Sequence, residues 1–467
     1  IKNNYISMYN FIVYGLGISG ISTAKYLQNN NYDIVATDDN LETIKNCSQK
    51  YPNLNLKNPN QILFNKNSII SFAPGIPLYH PKAHHILEIT KQHNCQLSCD
   101  IEIFYKLNKA NNFFIGITGT NGKSTTTALT GFIFKELNLQ SEIGGNIGIP
   151  CFDLPQNQQN FNYIFETSSY QLDLMNDVAF NISALLNITP DHIDRHGSLE
   201  NYINSKKRIF QNQTSSDYAI IGFDNHITNK IFKDFQTQEN FKPKLIPISN
   251  QQILQDGISI IDKKIFINIF SHNIELIFNP ILKGEHNMQN IACALAISCC
   301  YFHRHNILNQ KNIEKIIKII EGFTGLKHRM QLVSSQSNIN FINDSKATNA
   351  ESSENALKSF DNIFWIVGGK AKEGGINILK PYFSKVVKAY LIGESSNEFA
   401  KFLGQNNVNF ELCDNLKNAF EIALKDCKSS DLLNKNILLS PACASFDQWK
   451  NFEERGDFFC KLVNENK

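Results

Sequence analysis

The sequence predicts an α/β protein of three domains, each built around a mostly parallel sheet. Three observations carry this prediction. Short apolar runs alternate with helical patterns along the chain, the rhythm of strand–helix–strand units. Two of the strand-to-helix junctions are rich in glycine, at residues 15–20 and 116–122. The 467 residues are also too many for one ordinary core, and typical domain sizes suggest about three.

In the first segment, Phe11-Ile12-Val13-Tyr14 reads as a strand ending at Gly15, and residues 18–27 read as a helix. Residues 34–37 and 69–72 are further strands. In the second segment a strand at 113–117 precedes a helix at 123–137, and strands follow at 163–166 and 182–188. Residues 258–278 alternate apolar and polar side chains with period two, predicting an antiparallel ribbon around Asp262-Lys263-Lys264. A long helix is expected at 288–302. The run Glu321-Gly322-Phe323-Thr324-Gly325 reads as a linker, because two glycines interrupt the helical pattern. The third segment carries strands at 341–342, 364–367, 390–392 and 437–439.

Composition narrows the function. With 42% hydrophobic and 19% charged residues, the chain is globular. A formal net charge of +2 gives no one-sign field to gather nucleic acid or an anionic membrane. No apolar run is long enough to span a bilayer, and the start lacks a signal-peptide pattern. The 11 cysteines are scattered, with no CxxC pair, and Cys299 and Cys300 lie in an apolar helical run as core thiols. That usage fits a reducing, cytoplasmic setting. Met8 stands behind Ile1 to Ser7, so the natural start is open between Ile1 and Met8.

The run Ile115 to Thr125 reads IGITGTNGKST, with a strand entering and a helix leaving. That is the context of a phosphate-binding loop, in which helix-start N–H groups and the helix dipole meet phosphate oxygens. Gly119, Thr120, Asn121 and Gly122 form its turn, Lys123 can neutralise terminal phosphates, and the hydroxyls of Ser124 and Thr125 follow, Ser124 being placed to join Mg²⁺ coordination. The spacing departs from the common pattern, since Ile117 stands where a glycine is usual. Gly15-Leu16-Gly17-Ile18-Ser19-Gly20 matches the dinucleotide fingerprint, and Asp38 follows at the distance of a ribose-binding acid. The same physics serves NAD or the diphosphate of a UDP-sugar, and a tight packing turn would use the same glycines. A redox enzyme would not need the second, ATP-type loop, which favours a nucleotide-linked substrate here.

Other clusters look chemical. Glu166 ends a strand after the phosphate loop, placed to reach Mg²⁺. The run Asn187-Ile188-Thr189-Pro190-Asp191-His192-Ile193-Asp194-Arg195-His196 suggests a metal or proton-transfer site at His192, while His196 reads as a surface residue. Lys206-Lys207-Arg208, taken alone, reads as a solvated basic face of a helix. In Gly284-Glu285-His286-Asn287-Met288-Gln289-Asn290 the amides of Asn287 and Asn290 share a helix face. Asn343-Asp344-Ser345-Lys346-Ala347-Thr348-Asn349 places Asp, Lys and Thr at alternate positions after a strand.

In this order the motifs resemble the Mur ligases of peptidoglycan synthesis, a family that uses ATP to join an amino acid to a UDP-muramoyl substrate. The resemblance rests on Thr118 to Thr125, Gly144 to Gly148 (GGNIG), Glu166, Asp191-His192, His286 to Asn290 and Arg329, and it covers residues 15–456. It is nearest to the D-glutamate-adding members, on Asn343 to Asn349, on Gly368-Gly369 with Lys372, and on the long run Ser440 to Gly456. Glu373-Gly374-Gly375 departs from the family's usual Gly-x-Asp after that lysine.

The resemblance implies three domains: 1–108, Rossmann-like and binding the UDP substrate; 109–325, P-loop ATPase-like and binding ATP; and 326–467, Rossmann-like and binding the amino acid. It implies UDP-N-acetylmuramoyl-L-alanine, D-glutamate and ATP as partners of a monomeric enzyme, with no nucleic acid and no membrane insertion. Lys123, Glu166, His192 and Lys206 would be catalytic. Lys206 would carry a CO₂-derived carbamate, which turns a cation into an anionic oxygen ligand. Of two Mg²⁺ ions, Ser124 and Glu166 would hold one, and His192 with modified Lys206 the other. Asn287, Asn290, Arg329, Asp344 and Lys346 would join the loop 119–125 around ATP. Thr348, Lys372, Ser445, Phe446 and Phe452 would receive D-glutamate, with the Ser445-Phe446 backbone at a helix start. Ile18, Ser19, Gly20, Asp38, Gly75 and Asn146 would hold the UDP-sugar. An acyl phosphate would form, shielded from water by closure between domains two and three. Two other readings stay open: a relative adding a different amino acid, and a nucleotide sensor that binds ATP and NAD without ligation.

Overall fold

The computed structural model describes residues 9–466 except 147, 148, 283, 372 and 373. The expected D-glutamate ligand Lys372 and the question of the natural start therefore lie outside the described residues. Three sheets organise the chain, and two of them share one compact unit, Ile1–Phe323. The third belongs to a second unit, Thr324–Lys467. The boundary falls inside the linker read from Gly322 and Gly325.

Sheet one contains β1 (Asn10–Tyr14), β2 (Asp33–Thr37), β3 (Ser68–Phe72) and β4 (Gln96–Ser98), in the order β2-β1-β3-β4 and all parallel. Phe11 to Tyr14 are buried, as a parallel strand covered on both faces requires. The chain leaves β1 toward β2 on one side and enters β3 on the other. The crevice between the carboxyl ends of β1 and β3 is where such sheets receive ligands.

Sheet two has nine strands: β5 (Phe113–Thr118), β6 (Ser141–Gly145), β7 (Asn162–Glu166), β8 (Ile182–Leu185), β9 (Tyr218–Gly222), β10 (Lys244–Ser249), β11 (Gly257–Ile261), β12 (Lys264–Asn268) and β13 (Ile274–Ile277). Their order is β13-β12-β11-β10-β9-β8-β5-β7-β6. All pairs are parallel except β11–β12 and β12–β13, the ribbon expected from its period-two pattern. The chain reverses direction around β5, so the loops after β5, β7 and β8 converge. The helices Lys123–Glu136 and Glu285–Arg304 pack together beside this sheet, and Cys293, Cys299 and Cys300 are fully buried in the second of them. The strand expected at 182–188 stops at Leu185, and Asn187 turns out to serve the loop after β5. Strands β6, β9 and β10 were not legible in the sequence.

Sheet three contains β14 (Gln331–Gln336), β15 (Ile339–Asn343), β16 (Ile363–Gly368), β17 (Val386–Ile392), β18 (Phe410–Asp414) and β19 (Lys435–Leu439). Its order is β14-β15-β19-β16-β17-β18, with only β14–β15 antiparallel. All eleven cysteines are free. No helix among the described residues is long and apolar enough to cross a membrane.

Candidate active site

The loop after β5 carries the densest chemistry. Gly122 caps the helix Lys123–Glu136 with φ of 85°, a left-handed conformation that suits glycine. A Cβ there would lie 2.1 Å from Asn290 Oδ1, so the residue must also be small. Asn187, just past β8, brackets the loop: Asn121 N–H donates to its Oδ1 at 2.9 Å, and its Nδ2 donates to Asn121 O at 3.2 Å. Its Nδ2 also donates to Gln289 Oε1 at 2.9 Å, which ties the bracket to the helix Glu285–Arg304. Asn290 Nδ2 donates to Asn287 Oδ1 at 3.2 Å, and Thr126 Oγ1 donates to Asn290 Oδ1 at 3.3 Å, so the two expected amides sit on one face against the loop's helix.

Two lysines meet at this loop. Lys123 Nζ donates to Gly119 O at 2.9 Å and Thr120 O at 2.7 Å, and Lys206 Nζ donates to the same Gly119 O at 2.8 Å. Lys206 is buried, 2% exposed, in the helix Leu199–Lys207. Burial, then the neighbouring Lys123 charge, pushes its amine well below the ordinary lysine range, against the pull of Asp191 and Glu166. The solvated basic face suggested by Lys206-Lys207-Arg208 is thus wrong for Lys206. Beside it, the Tyr202 ring lies 4.7 Å from Nζ, and the Tyr202 hydroxyl is 3.0 Å from Thr120 Oγ1. Tyr202 carried no signal in the sequence beyond its helical phase.

Glu166 closes β7 and is buried. Its Oε1 accepts from Asn146 Nδ2 at 2.9 Å, while its Oε2 is buried with no hydrogen-bond partner among the described residues. An unpaired buried carboxylate oxygen invites a cation. Glu166 and the buried Ser124 at the helix start are both hard-oxygen donors of the kind Mg²⁺ takes. His192 is exposed, 3.4 Å from Asp191, and holds φ of 54° at the start of the short helix Ile193–His196. Histidine adopts that left-handed conformation more readily than most side chains. His196 corrects the surface expectation. It is buried, 2.9 Å from Ser169 Oγ and stacked on Tyr170, and burial, with nearby His192, Lys206 and Arg195, depresses it to about 4.

The glycine loop after β1 is built differently. Gly20 packs so tightly that a Cβ would lie 1.9 Å from Gly15 O. Asp38 Oδ2 accepts from Leu16 N–H at 2.8 Å, Ile18 is exposed, and Ser19 opens the helix Ile18–Asn29. Gly75 is exposed on the loop after β3, across the crevice. Asp39, His84 and His85 cluster at its rim. Hydrogen bonds saturate that group. Ile86 N–H donates to His84 Nδ1 at 3.1 Å, so the ring's proton sits on Nε2 and is given to Asp39 Oδ2 at 2.9 Å. Tyr14 donates to Asp39 Oδ1 at 2.5 Å. Burial works against the Asp39 carboxylate, but these two bonds hold it below its usual range. A metal at His84 Nε2 would have to displace that proton, so the cluster is a brace.

In the second unit, Asp344 follows β15 and is buried, with Ser440 Oγ donating to Oδ2 at 2.7 Å and Met330 N–H to Oδ1 at 3.1 Å. Burial raises its carboxyl to about 7, although Ser440, Met330, Arg329 and Arg455 all favour the anion. Lys346 lies 5.3 Å over the Phe452 ring. Arg455, 1% exposed, stitches the two signature runs together: Nε donates to Ser345 Oγ at 3.0 Å, and Nη2 to Ser345 O at 2.8 Å and Cys443 O at 3.1 Å. Thr348 is half-buried just before the helix Ala350–Ser359, Ser445 is buried and Phe446 is 71% exposed. Contrary to the expectation from sequence, the Ser445-Phe446 backbone does not open a helix. It forms a turn in which Gln448 N–H and Trp449 N–H donate to Ser445 O, and the helix begins only at Phe452 behind the Asn451 cap.

Known proteins agree with this architecture. The Mur ligase middle domain matches residues 117–298, the Mur ligase glutamate ligase domain residues 328–443, and the Mur ligase MurD-like N-terminal domain residues 9–92. The UDP-N-acetylmuramoylalanine–D-glutamate ligase of Rickettsia bellii (strain RML369-C) is 42% identical over 457 residues, covering 97% of each chain. The enzyme of the same name from Wolbachia pipientis wMel is 38% identical, covering 97% of this chain and 96% of its own. The crystal structure of the UDP-N-acetylmuramate–alanine ligase of Thermotoga maritima shares the fold, with a TM-score of 0.54 at 14% identity over 98% of this chain and 100% of its own. Full-length identity at this level, on a three-sheet framework whose loops carry the family's motifs, places the chain in the Mur ligase family.

Proposed function

We propose that this chain is an ATP-dependent ligase that joins D-glutamate to UDP-N-acetylmuramoyl-L-alanine during peptidoglycan precursor synthesis. The relatives of nearly equal length carry that activity in their names, and ATP and Mg²⁺ use goes with the family. The observation that carries the reading is the pair of lysines on Gly119 O, with one amine buried and depressed. In this reading the domains run 1–108, 109–325 and 326–467, and the enzyme acts as a cytoplasmic monomer.

The L-alanine carboxylate attacks the γ-phosphate of ATP, ADP leaves, and an acyl phosphate forms. The D-glutamate amine then attacks the acyl carbon, and phosphate leaves as the amide closes. Lys123 neutralises the phosphates held by residues 119–125, and Asn287 and Asn290 support the nucleotide from their helix. Ser124 and Glu166 would hold one Mg²⁺, and His192 with carbamylated Lys206 a second, supplying screening between carboxylate and triphosphate. A buried amine whose protonation is disfavoured supports the carbamate, because the unprotonated lone pair is what adds to CO₂, releasing one proton. By the family resemblance, Arg329, Asp344 and Lys346 of the second unit would contact ATP, and Thr348, Lys372, Ser445, Phe446 and Phe452 would receive D-glutamate. Ile18, Ser19, Gly20, Asp38, Gly75 and Asn146 hold the UDP-sugar.

The test is phosphate release from ATP in the presence of UDP-N-acetylmuramoyl-L-alanine and one amino acid at a time. Release dependent on D-glutamate is expected, and equal release with L-alanine or a diamino acid would remove the specificity. For the carbamate, Lys206→Ala should lose roughly a hundredfold or more in kcat/KM, a loss of about 3 kcal/mol of transition-state stabilisation. Unchanged activity in that variant refutes it.

A further inference from the structure

Arg195 carried no role in the sequence beyond its place in the His192 run. In the structure it reaches across to the loop after β3. Its Nη1 donates to Gly75 O at 3.2 Å, and its Nη2 donates to Pro74 O at 3.1 Å and Ile76 O at 3.1 Å. Three successive carbonyls on one guanidinium is an arrangement that needs a planar fork of donors. The other side of the same guanidinium lies 4.3 Å over the Tyr170 ring. Tyr170 in turn is 5.2 Å from the His192 ring and stacks on buried His196 at 5.3 Å.

The loop it holds is part of the first crevice. Ala73 N–H donates to Tyr14 O at 2.8 Å, and the turn is closed by Ile76 N–H on Ala73 O at 3.0 Å. A Cβ on Gly15 would lie 2.4 Å from Ala73 Cβ, so this turn packs directly on the glycine loop after β1. Arg195 itself stands three residues after His192, on the helix Ile193–His196. One side chain therefore sets the height of the UDP-side turn against the strand-end segment that carries His192.

We infer that Arg195 is a positioning residue for the UDP-linked substrate. It aligns the 73–76 turn, which faces the diphosphate, with the catalytic end of sheet two, so that the far end of the substrate arrives at His192 and Lys206. This rests on the proposed ligase reading. A rigid span between the two sites lets binding energy at the nucleotide place a remote carboxylate.

The test uses the full chain with Arg195→Met, which keeps the aliphatic stem over Tyr170, and Arg195→Lys. Calorimetric binding of UDP-N-acetylmuramoyl-L-alanine without ATP is read beside KM for all three substrates. Arg195→Met should weaken that binding by about tenfold or more, as expected for lost charge-assisted hydrogen bonds, with KM for ATP and D-glutamate within about twofold. Arg195→Lys should recover part of it, because an ammonium reaches fewer of the three carbonyls. Unchanged UDP-substrate binding in Arg195→Met overturns the inference. So does a uniform fall in all three substrates that Lys does not relieve, since that marks a purely structural contact. Should the wild-type protein bind the UDP substrate yet release no phosphate with D-glutamate, the ligase reading fails, and the binding arm still decides Arg195.

Discussion

The two glycine loops of the first unit begin alike and end as different instruments. Each follows a strand paired in parallel on both sides and opens a helix. After β1 the loop meets an acid: Asp38 accepts the Leu16 N–H, and no lysine lies in the run 15–20. After β5 the loop meets cations: Lys123 and Lys206 share the Gly119 carbonyl. Backbone N–H groups at a helix start suit any phosphate. What differs is the charge the surrounding fold delivers. An acid beside the first loop suits sugar hydroxyls. Lysines, and a Glu166 oxygen that has no hydrogen-bond partner among the described residues, beside the second suit a phosphoryl group that must be transferred.

The sharpest way to separate the loops is to fill each glycine. Gly122→Ala would push a methyl to 2.1 Å from Asn290 Oδ1 at a φ of 85°. Roughly a hundredfold or greater fall in kcat/KM for ATP is expected, from a distortion of about 3 kcal/mol. Gly20→Ala would strike Gly15 O at 1.9 Å and should raise KM for the UDP substrate while leaving ATP binding in place. Steady-state kinetics on both variants decides the point, and a common loss of affinity for both nucleotides would erase the distinction.

Near the second loop a histidine is buried, His196, whose ring lies 5.3 Å from that of Tyr202, the partner of Thr120, whereas His84 and His85 lie nearer the rim of the first crevice. His196 is held to about 4, below its ordinary value near 6.5. Between those values the folded state binds fewer protons than the unfolded one, so stability is complete above the higher pH and falls as pH drops toward the lower. The penalty at acid pH should approach about 2–3 kcal/mol. Urea melts at pH 7 and pH 4.5 should show that slope in the wild type and a shallower one in His196→Gln.

The smallest effect belongs to Asp38. Asp38→Asn weakens the bond to Leu16 N–H, and about a fivefold rise in KM for the UDP substrate is expected, near 1 kcal/mol. No change there would mean that the glycine packing alone shapes the first loop.

Local signals in the chain were read well where periodicity or turn chemistry spoke. The strands leading into Gly15 and Gly119, the ribbon on either side of Asp262 and Lys263, and the linker at Gly322 all appear as expected. Misreadings arose where a residue's meaning depends on partners distant in sequence. His196 looked like a surface residue because nothing nearby announces Ser169 and Tyr170. Ser445 and Phe446 looked like a helix start because the sequence does not show that a turn closes on Ser445 O before Asn451 caps the helix.

Sequence alone determined the α/β class and the two glycine-rich strand-to-helix loops, because glycine spacing and apolar period are local properties, and its longer motifs carried the resemblance to the family. Tertiary structure decided which charges meet those loops. Only folding brings Lys206 over 87 residues to Gly119, leaves Glu166 Oε2 without a hydrogen-bond partner among the described residues, brackets Asn121 with Asn187, and lays Arg195 across the 73–76 turn. The physical reason is desolvation. A lysine's protonation and a carboxylate's appetite for a cation depend on what excludes water around them, and that is a property of packing.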